Sequence, residues 1–446
     1  MLPDKEVFAA HLSHMVRFPT VSDIDEDKMN FEPFYQLHQY LENTYPLVHK
    51  TFEKKIIGKA ALLYHWRVKQ DSGALPILLA AHQDVVPEGD HGKWKYPPYE
   101  GRIADNRIYG RGTLDCKSML MGEMEALEAL IAEGYEPKQD IYLAYGYNEE
   151  VGTTTEKPSA RLICEYLEAH GVRLGLVIDE GGEIVPGSTA GVKGLLGNIA
   201  VAEKGYASIE VYKTGNAGHP AMPGNHCVIA DLARVIVKIA DYPRPYRVTA
   251  PMEMQYKMLA DLVDENREYY EDISSHMDWL VPRLDGDPRT GAKFQTTLAM
   301  TMASASPSPS SLPEKASISM NIRLLEGDTV EGILKDLRDL AGEGSGVKID
   351  LIAGRDPSPA SQVDPELFGR FGAALDQIYP KIKVVPVICI GGTDAFYYHP
   401  ICERVYRFSG GRRHPDNGPS HGFNESYSLD TIEDIPKFFY YFLKQC

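Results

Sequence analysis

Three short apolar runs constrain this chain more than any other feature of its sequence. Residues 75–82, 140–147 and 174–178 are runs dominated by Leu, Ile, Val, Ala and Tyr rather than alternating ones, the pattern of strands buried on both faces of a parallel sheet. Each run ends abruptly in groups that hold metals or protons: His82-Gln83-Asp84, Asn148-Glu149-Glu150 and Asp179-Glu180-Gly181-Gly182. Between them lies helical spacing. Residues 117–133 place Met121, Met124, Leu127, Leu130 and Ile131 on one face and close at Gly134, and a second helix runs from Ser159 as N-cap to Gly171. A β-α-β-α-β rhythm with polar groups at the carboxyl ends of its strands is how open α/β sheets assemble their sites.

With 446 residues the chain exceeds what one compact core holds, so two domains are expected. Upstream of the first run, residues 5–18 and 31–43 read as amphipathic helices and 48–68 as a hairpin. Residues 103–109 read as a ribbon turning at Asp105-Asn106. The rhythm changes after about residue 198. A strand at 202–212, a helix at 225–241, strands near 294–303 and 315–325, a helix at 328–342 and a strand at 347–353 form a βαββαβ set, interrupted by a polar, helix-prone insertion at 243–290. That set is the signature of a small α+β domain inserted into a larger one. The first domain resumes with a helix at 364–379, a buried strand at 384–390 ending in Gly391-Gly392-Thr393-Asp394, and a strand at 404–408. The expected division is 1–198 with 357–446 for the larger domain and 199–356 for the inserted one.

A formal charge of −17 disfavours nucleic acid and anionic membrane surfaces as partners. The six cysteines are scattered without a CxxC pair and read as reduced thiols, and the N-terminal residues carry Asp4, Lys5 and Glu6 instead of an apolar leader. A cytoplasmic protein is expected.

Taken singly, the polar motifs are weak. A lone His82-x-Asp84 is more often an ordinary strand-end hydrogen bond than half a metal site, although Asp84 is spaced to accept the free ring N–H of His82. Glu149-Glu150 would read as an exposed acidic pair were it not placed directly after a buried strand. Together the motifs resemble one family. His82 to Pro87, Gly110-Arg111-Gly112-Thr113-Leu114-Asp115-Cys116-Lys117, Glu149-Glu150-Val151-Gly152, Asp179 to Gly182, Glu203-Lys204-Gly205, Gly218-His219 and His421-Gly422-Phe423-Asn424-Glu425 resemble, in order and spacing, the M20 metallopeptidases and aminoacylases. The Asp-Glu-Gly-Gly signature and the long insertion bring the chain nearest the carboxypeptidase S and N-acyl-amino-acid hydrolase branch.

The resemblance implies a mostly parallel-sheet zinc-hydrolase domain carrying a βαββαβ lid through which two subunits pair. It implies two zinc ions, with cobalt or manganese as substitutes. Asp115 would bridge them, His82 and Asp179 would complete one site, and Glu150 and His421 the other. Glu180, beside Asp179, carries the same chemistry, and a regular strand lets only one of the two face the site. Two such cations share a hydroxide and polarise a carbonyl. Glu149 would be the general base, Asp84 the group orienting His82, His219 the donor to the tetrahedral oxyanion, reaching the partner's site, and Arg323 the clamp on a substrate carboxylate. A cis peptide is implied at Asp115-Cys116. Two positions depart from the family pattern: Ser310, where relatives commonly carry Asn, and Phe396, where they carry Arg. The substrate expected is an N-acyl amino acid or a small peptide with a free carboxylate. A dipeptidase or carboxypeptidase is the alternative, and a non-catalytic zinc-bound binding protein a third reading.

Overall fold

The computed structural model describes residues 2–446 apart from 71, 153 and 225. A nine-stranded sheet organises the larger unit, in the order Glu53–Ile57, Ala61–Trp66, Ile141–Gly146, Ile77–His82, Leu176–Asp179, Val405–Arg407, Leu195–Glu203 and Lys383–Cys389, with Glu183–Pro186 paired to Leu195–Glu203. Its central strands are parallel, so Ile141–Gly146, Ile77–His82 and Leu176–Asp179 deliver their carboxyl ends to one edge. An antiparallel hairpin extends one flank. On the other, an antiparallel step from Arg407 to Ala200 precedes the last parallel pair.

The continuous apolar runs follow from two-sided burial. In Ile77–His82, Ile77, Leu79 and Ala81 join a core built with helices Lys5–Val16, Lys117–Ala132, Pro365–Asp376 and Asp434–Leu443, whereas Leu78 and Ala80 join a second core under helix Ser159–Ala169. Each fully buried aliphatic side chain contributes roughly 1.5–3 kcal/mol. Asp105 and Asn106 both take left-handed backbone, φ 50° and 59°, as a tight hairpin turn requires. Ser159 does not cap its helix. Its hydroxyl accepts the N–H of Tyr147 at 3.0 Å while its own N–H donates to Asn148 Oδ1 at 2.8 Å, so the helix start pins the end of the neighbouring strand.

Residues 202–212, read as one strand, belong to two. Leu195–Glu203 lies in the large sheet, and Gly205–Thr214 in a four-stranded antiparallel sheet ordered Thr297–Ser304, Lys315–Leu324, Gly205–Thr214, Lys348–Arg355. The crossing falls at Lys204, whose buried ammonium donates to the carbonyls of Ala292 and Gln295 at 3.0 and 2.8 Å. Helices Val228–Ala240 and Val330–Ala341 complete the βαββαβ unit and its separate core. The insertion forms four helices between Ala250 and Gly291. These cover the large sheet, not the small one: Met252, Tyr256 and Leu259 share a core with Leu196, Val385 and Ile388. Among the described residues no helix is long and apolar enough to cross a membrane.

Candidate active site

Asp115 lies where three strand ends meet a returning loop. One carboxylate oxygen is 2.9 Å from His82 Nε2 and the other 3.0 Å from His421 Nε2. Glu180 approaches the first imidazole at 3.3 Å and Glu150 the second at 3.0 Å. Two donor groups therefore share one carboxylate: His82, Asp115 and Glu180 on one side, Asp115, Glu150 and His421 on the other. His82 Nδ1 lies 3.0 Å from the carbonyl oxygen of Asp84. A carbonyl only accepts, so the ring proton sits on Nδ1 and Nε2 faces the carboxylates.

Local structure explains this convergence. The Asp84 carboxylate, expected to hold His82, lies 3.5 Å from its ring and instead accepts the backbone N–H groups of Glu149 and Glu150 at 3.1 and 3.2 Å. It thus fastens one strand end to the next. Glu425, wholly buried, accepts from Arg111, Gly112 and Leu114 at 2.6, 3.1 and 2.9 Å and shapes the loop that presents Asp115. Gly112 takes φ +86° in that loop, and a Cβ there would meet Val85 at 2.6 Å. The Asp115-Cys116 peptide is cis.

Asp179 is not brought to the cluster. Its oxygens accept the N–H groups of Glu180 and Ala395 at 2.9 and 2.6 Å, so it shapes the backbone while Glu180, on the opposite face, meets His82. The reason is strand geometry: successive side chains diverge, and the one facing the backbone turn is spent there.

The charges at the site suit cations. Asp115, Glu149, Glu150, Glu180 and Asp394 all line one cavity of about 290 Å³. Burial pushes Glu149 well above the ordinary carboxylate range, and Glu150 and Glu180 each up to about 7. Hydrogen bonds to Asp115 and Glu150 raise His421 to about 10, so its imidazole stands in for positive charge. Glu150 Oε1 is buried with no hydrogen-bond partner among the described residues. Oxygen and imidazole donors around a surplus of buried negative charge fit divalent metal, which holds such acids ionised.

Arg323 enters the same cavity from the lid strand Lys315–Leu324, its guanidinium 4.9 Å from the centre of the Tyr206 ring. His219 is exposed in the turn after Gly205–Thr214 and does not line the cavity. A second cavity of about 510 Å³ meets the first at Asp115, Glu180 and Gly181.

Residues 78–445 match Peptidase family M20/M25/M40. The chain belongs to this family. "Probable carboxypeptidase S-like 2" of Dictyostelium discoideum is 30% identical over 98% of this chain and 84% of the relative. "N-fatty-acyl-amino acid synthase/hydrolase PM20D1.1" of Danio rerio is 30% identical over 95% of this chain and 83% of its own. Among solved structures, the M20 family metallo-carboxypeptidase Sso-CP2 from Sulfolobus solfataricus superposes with a TM-score of 0.71 over 99% of both chains at 18% identity, a likeness of fold.

The M20 chain is a metal-dependent hydrolase. Two cations beside the site escape sequence reading. Arg355 lines the smaller cavity, and Arg407 is fully buried, bonded at 2.7 Å to Glu203, the acid that also pairs with Arg355. A charged residue inside the apolar run Val405-Tyr406-Arg407-Phe408 was the available signal. The geometry around Asp179 and Glu180 gives a direct expectation for this M20 site. Glu180→Gln lowers the divalent metal retained after dialysis, measured by elemental analysis, whereas Asp179→Asn retains it and instead lowers the thermal midpoint. The reverse pattern would make Asp179 the ligand.

Proposed function

We propose that this M20 enzyme hydrolyses the amide bond of an N-acyl amino acid or small peptide bearing a free carboxylate. The observation that carries the reading is the Asp115 carboxylate shared between His82 and His421, each imidazole backed by one further acid. In this reading His82, Asp115 and Glu180 hold one zinc ion and Asp115, Glu150 and His421 the other, with cobalt or manganese as substitutes. Two such cations supply an acidified water and an electrophilic pull on the scissile carbonyl.

The chain's own residues do the rest. Glu149 makes no side-chain bond to either imidazole and is free to take a proton from the attacking water and return it to the leaving nitrogen. Its backbone is fixed by Asp84, so the carboxylate is placed without being consumed as a ligand. Arg323 offers a planar fork to the substrate carboxylate. The two cavities meet at the cluster, so a bond cleaved there leaves one half of the substrate in each. The smaller, with Arg323, takes the amino-acid half. The larger is lined by Arg289, Arg412, Arg413 and His414 as well as Met119 and Ile435, which suits a short or polar acyl group better than a fatty chain. A dipeptide fits the same arrangement, with an aminoacyl group in the larger cavity.

His219 accepts the N–H of Ala221 on Nδ1 at 3.1 Å, leaving the proton of the neutral ring on Nε2 as a donor. That donor suits an oxyanion, and its absence from its own cavity supports a two-fold dimer, paired through the lid, in which each His219 serves the other subunit. Unpaired thiols, five of the six buried, suit a reducing compartment such as the cytoplasm.

Turnover of N-acetyl amino acids and dipeptides by zinc-loaded protein tests the reading. Glu149→Gln is expected to keep its metal, by elemental analysis, while kcat falls at least about a hundredfold. Loss of metal in that variant would make Glu149 a ligand instead. The shared site has its own test. His219→Ala and Glu149→Gln dimers are each expected to be nearly inactive, but mixed after subunit exchange they regain about a quarter of wild-type activity, because half the dimers then carry one intact site of two. No recovery in verified mixed dimers would place His219 outside the partner's reaction.

A further inference from the structure

Arg355 ends the last strand of the small sheet, Lys348–Arg355, and lines the smaller cavity together with Arg323. The two arginines flank the same residue of the central strand: Tyr206 is the register partner of Arg323 on one side and of Arg355 on the other. Register partners project to the same face of a sheet, and two strand spacings separate the outer pair by roughly 9 to 10 Å at their Cα atoms. The two guanidiniums thus enter one cavity from two separate stations.

Arg355 is built into place. Its guanidinium forms an ion pair with the wholly buried Glu203 and lies 4.1 Å from the centre of the Phe396 ring. Gly392 leaves the room for it, since a Cβ at that position would sit 2.4 Å from Arg355 Nη2. Glu203 does not cancel the charge, because its other oxygen accepts from Arg407 Nε at 2.7 Å and from the Thr393 hydroxyl at 2.8 Å. Within this trio two guanidiniums meet one carboxylate, which leaves one positive charge among the three. Arg355 Nε and Arg407 Nη2 are buried without hydrogen-bond partners among the described residues. Arg323 adds a second positive charge, since no carboxylate among the described residues pairs with it, and Arg355 and Arg323 repel one another. The acids of the cavity are gathered at the Asp115 cluster, so a substrate carboxylate held by Arg323 leaves the Arg355 end of the cavity without an anion beyond Glu203.

We propose that Arg355 is a specificity-determining residue that selects substrates whose amino-acid half carries a second carboxylate, the N-acyl-glutamate and N-acyl-aspartate class. Arg323 takes the α-carboxylate and Arg355 the side-chain carboxylate. The assignment rests on the reading of the site as an N-acyl-amino-acid or peptide hydrolase.

The test compares kcat/KM for N-acetyl-glutamate with that for its uncharged isostere N-acetyl-glutamine, with N-acetyl-leucine as a third substrate. The wild type is expected to favour glutamate over glutamine by about tenfold or more, the effect of one charge-assisted fork. In Arg355→Gln, where Glu203 keeps Arg407, the preference is expected to fall to about one, chiefly through KM, and Arg355→Lys to recover part of it. A wild-type ratio near one, or a ratio unchanged in Arg355→Gln, overturns the assignment while turnover of glutamine or leucine substrates leaves the hydrolase reading standing. Turnover of none of these, nor of dipeptides, overturns both. Should Arg355→Gln fail to fold, product inhibition of the wild type decides: free glutamate is expected to inhibit at about tenfold lower concentration than glutamine, and equal inhibition overturns the assignment.

Discussion

The structure depends on a single carboxylate held between two imidazoles. Asp115 is met by His82 on one side and by His421 on the other, and each ring is approached by one further acid, Glu180 and Glu150 respectively. None of these groups would keep its charge in a buried cluster unless opposite charge balanced it. The fold carries this constraint in its backbone. The Asp84 carboxylate ties the end of Ile77–His82 to the start of the Glu149 turn, Asp179 ties the end of Leu176–Asp179 to Ala395, and Glu425 ties the Asp115 loop to the His421 loop. Three acids outside the cluster, each accepting backbone N–H groups, thus hold in register the acids within it. His421 itself takes φ +60°, a left-handed conformation uncommon outside glycine, which its loop imposes to aim the ring at Asp115.

Much of this is legible in the sequence because two-sided burial writes continuous apolar runs, and the polar group that ends such a run has few places to be. His82, Glu149 and Glu150 are found that way, and the resemblance of the ordered motifs to the M20 family supplies Asp115 and His421. What is not legible depends on which way a side chain turns. Asp179 and Glu180 are chemically interchangeable in a sequence, and only the bond from Ala395 N–H, far along the chain, settles which of them faces His82. Ser159 looks like a helix cap, yet a strand-end N–H takes its hydroxyl. Residues 202–212 look like one strand because a single residue, Lys204, separates Leu195–Glu203 from Gly205–Thr214, and the crossing there is held by the carbonyls of Ala292 and Gln295, just after the insertion.

The insertion also shows how the halves are coupled. Its helices bury Met252, Tyr256 and Leu259 against strands of the large sheet, and the last of them, Pro288–Gly291, brings Arg289 to Glu183 at 3.1 Å, at the rim of the larger cavity. The small sheet contributes Arg323 and Arg355 to the other cavity. The acids of the cluster and the two arginines of the adjoining cavity therefore come from different sheets, joined at Lys204 on the way out and just beyond Arg355 on the way back. Substrate selection can vary through the lid while the cluster around Asp115 stays fixed.

The central claim is that Asp115 bridges two metal ions whose remaining protein ligands are His82 with Glu180 and Glu150 with His421. Anomalous diffraction at the zinc edge from crystals of the zinc-loaded enzyme tests it most directly. The account predicts two peaks, one on each side of Asp115, separated by roughly 3.5–4 Å, with Glu149 within reach of neither as a ligand. A single peak, or a peak coordinated by Asp179 in place of Glu180, would contradict it.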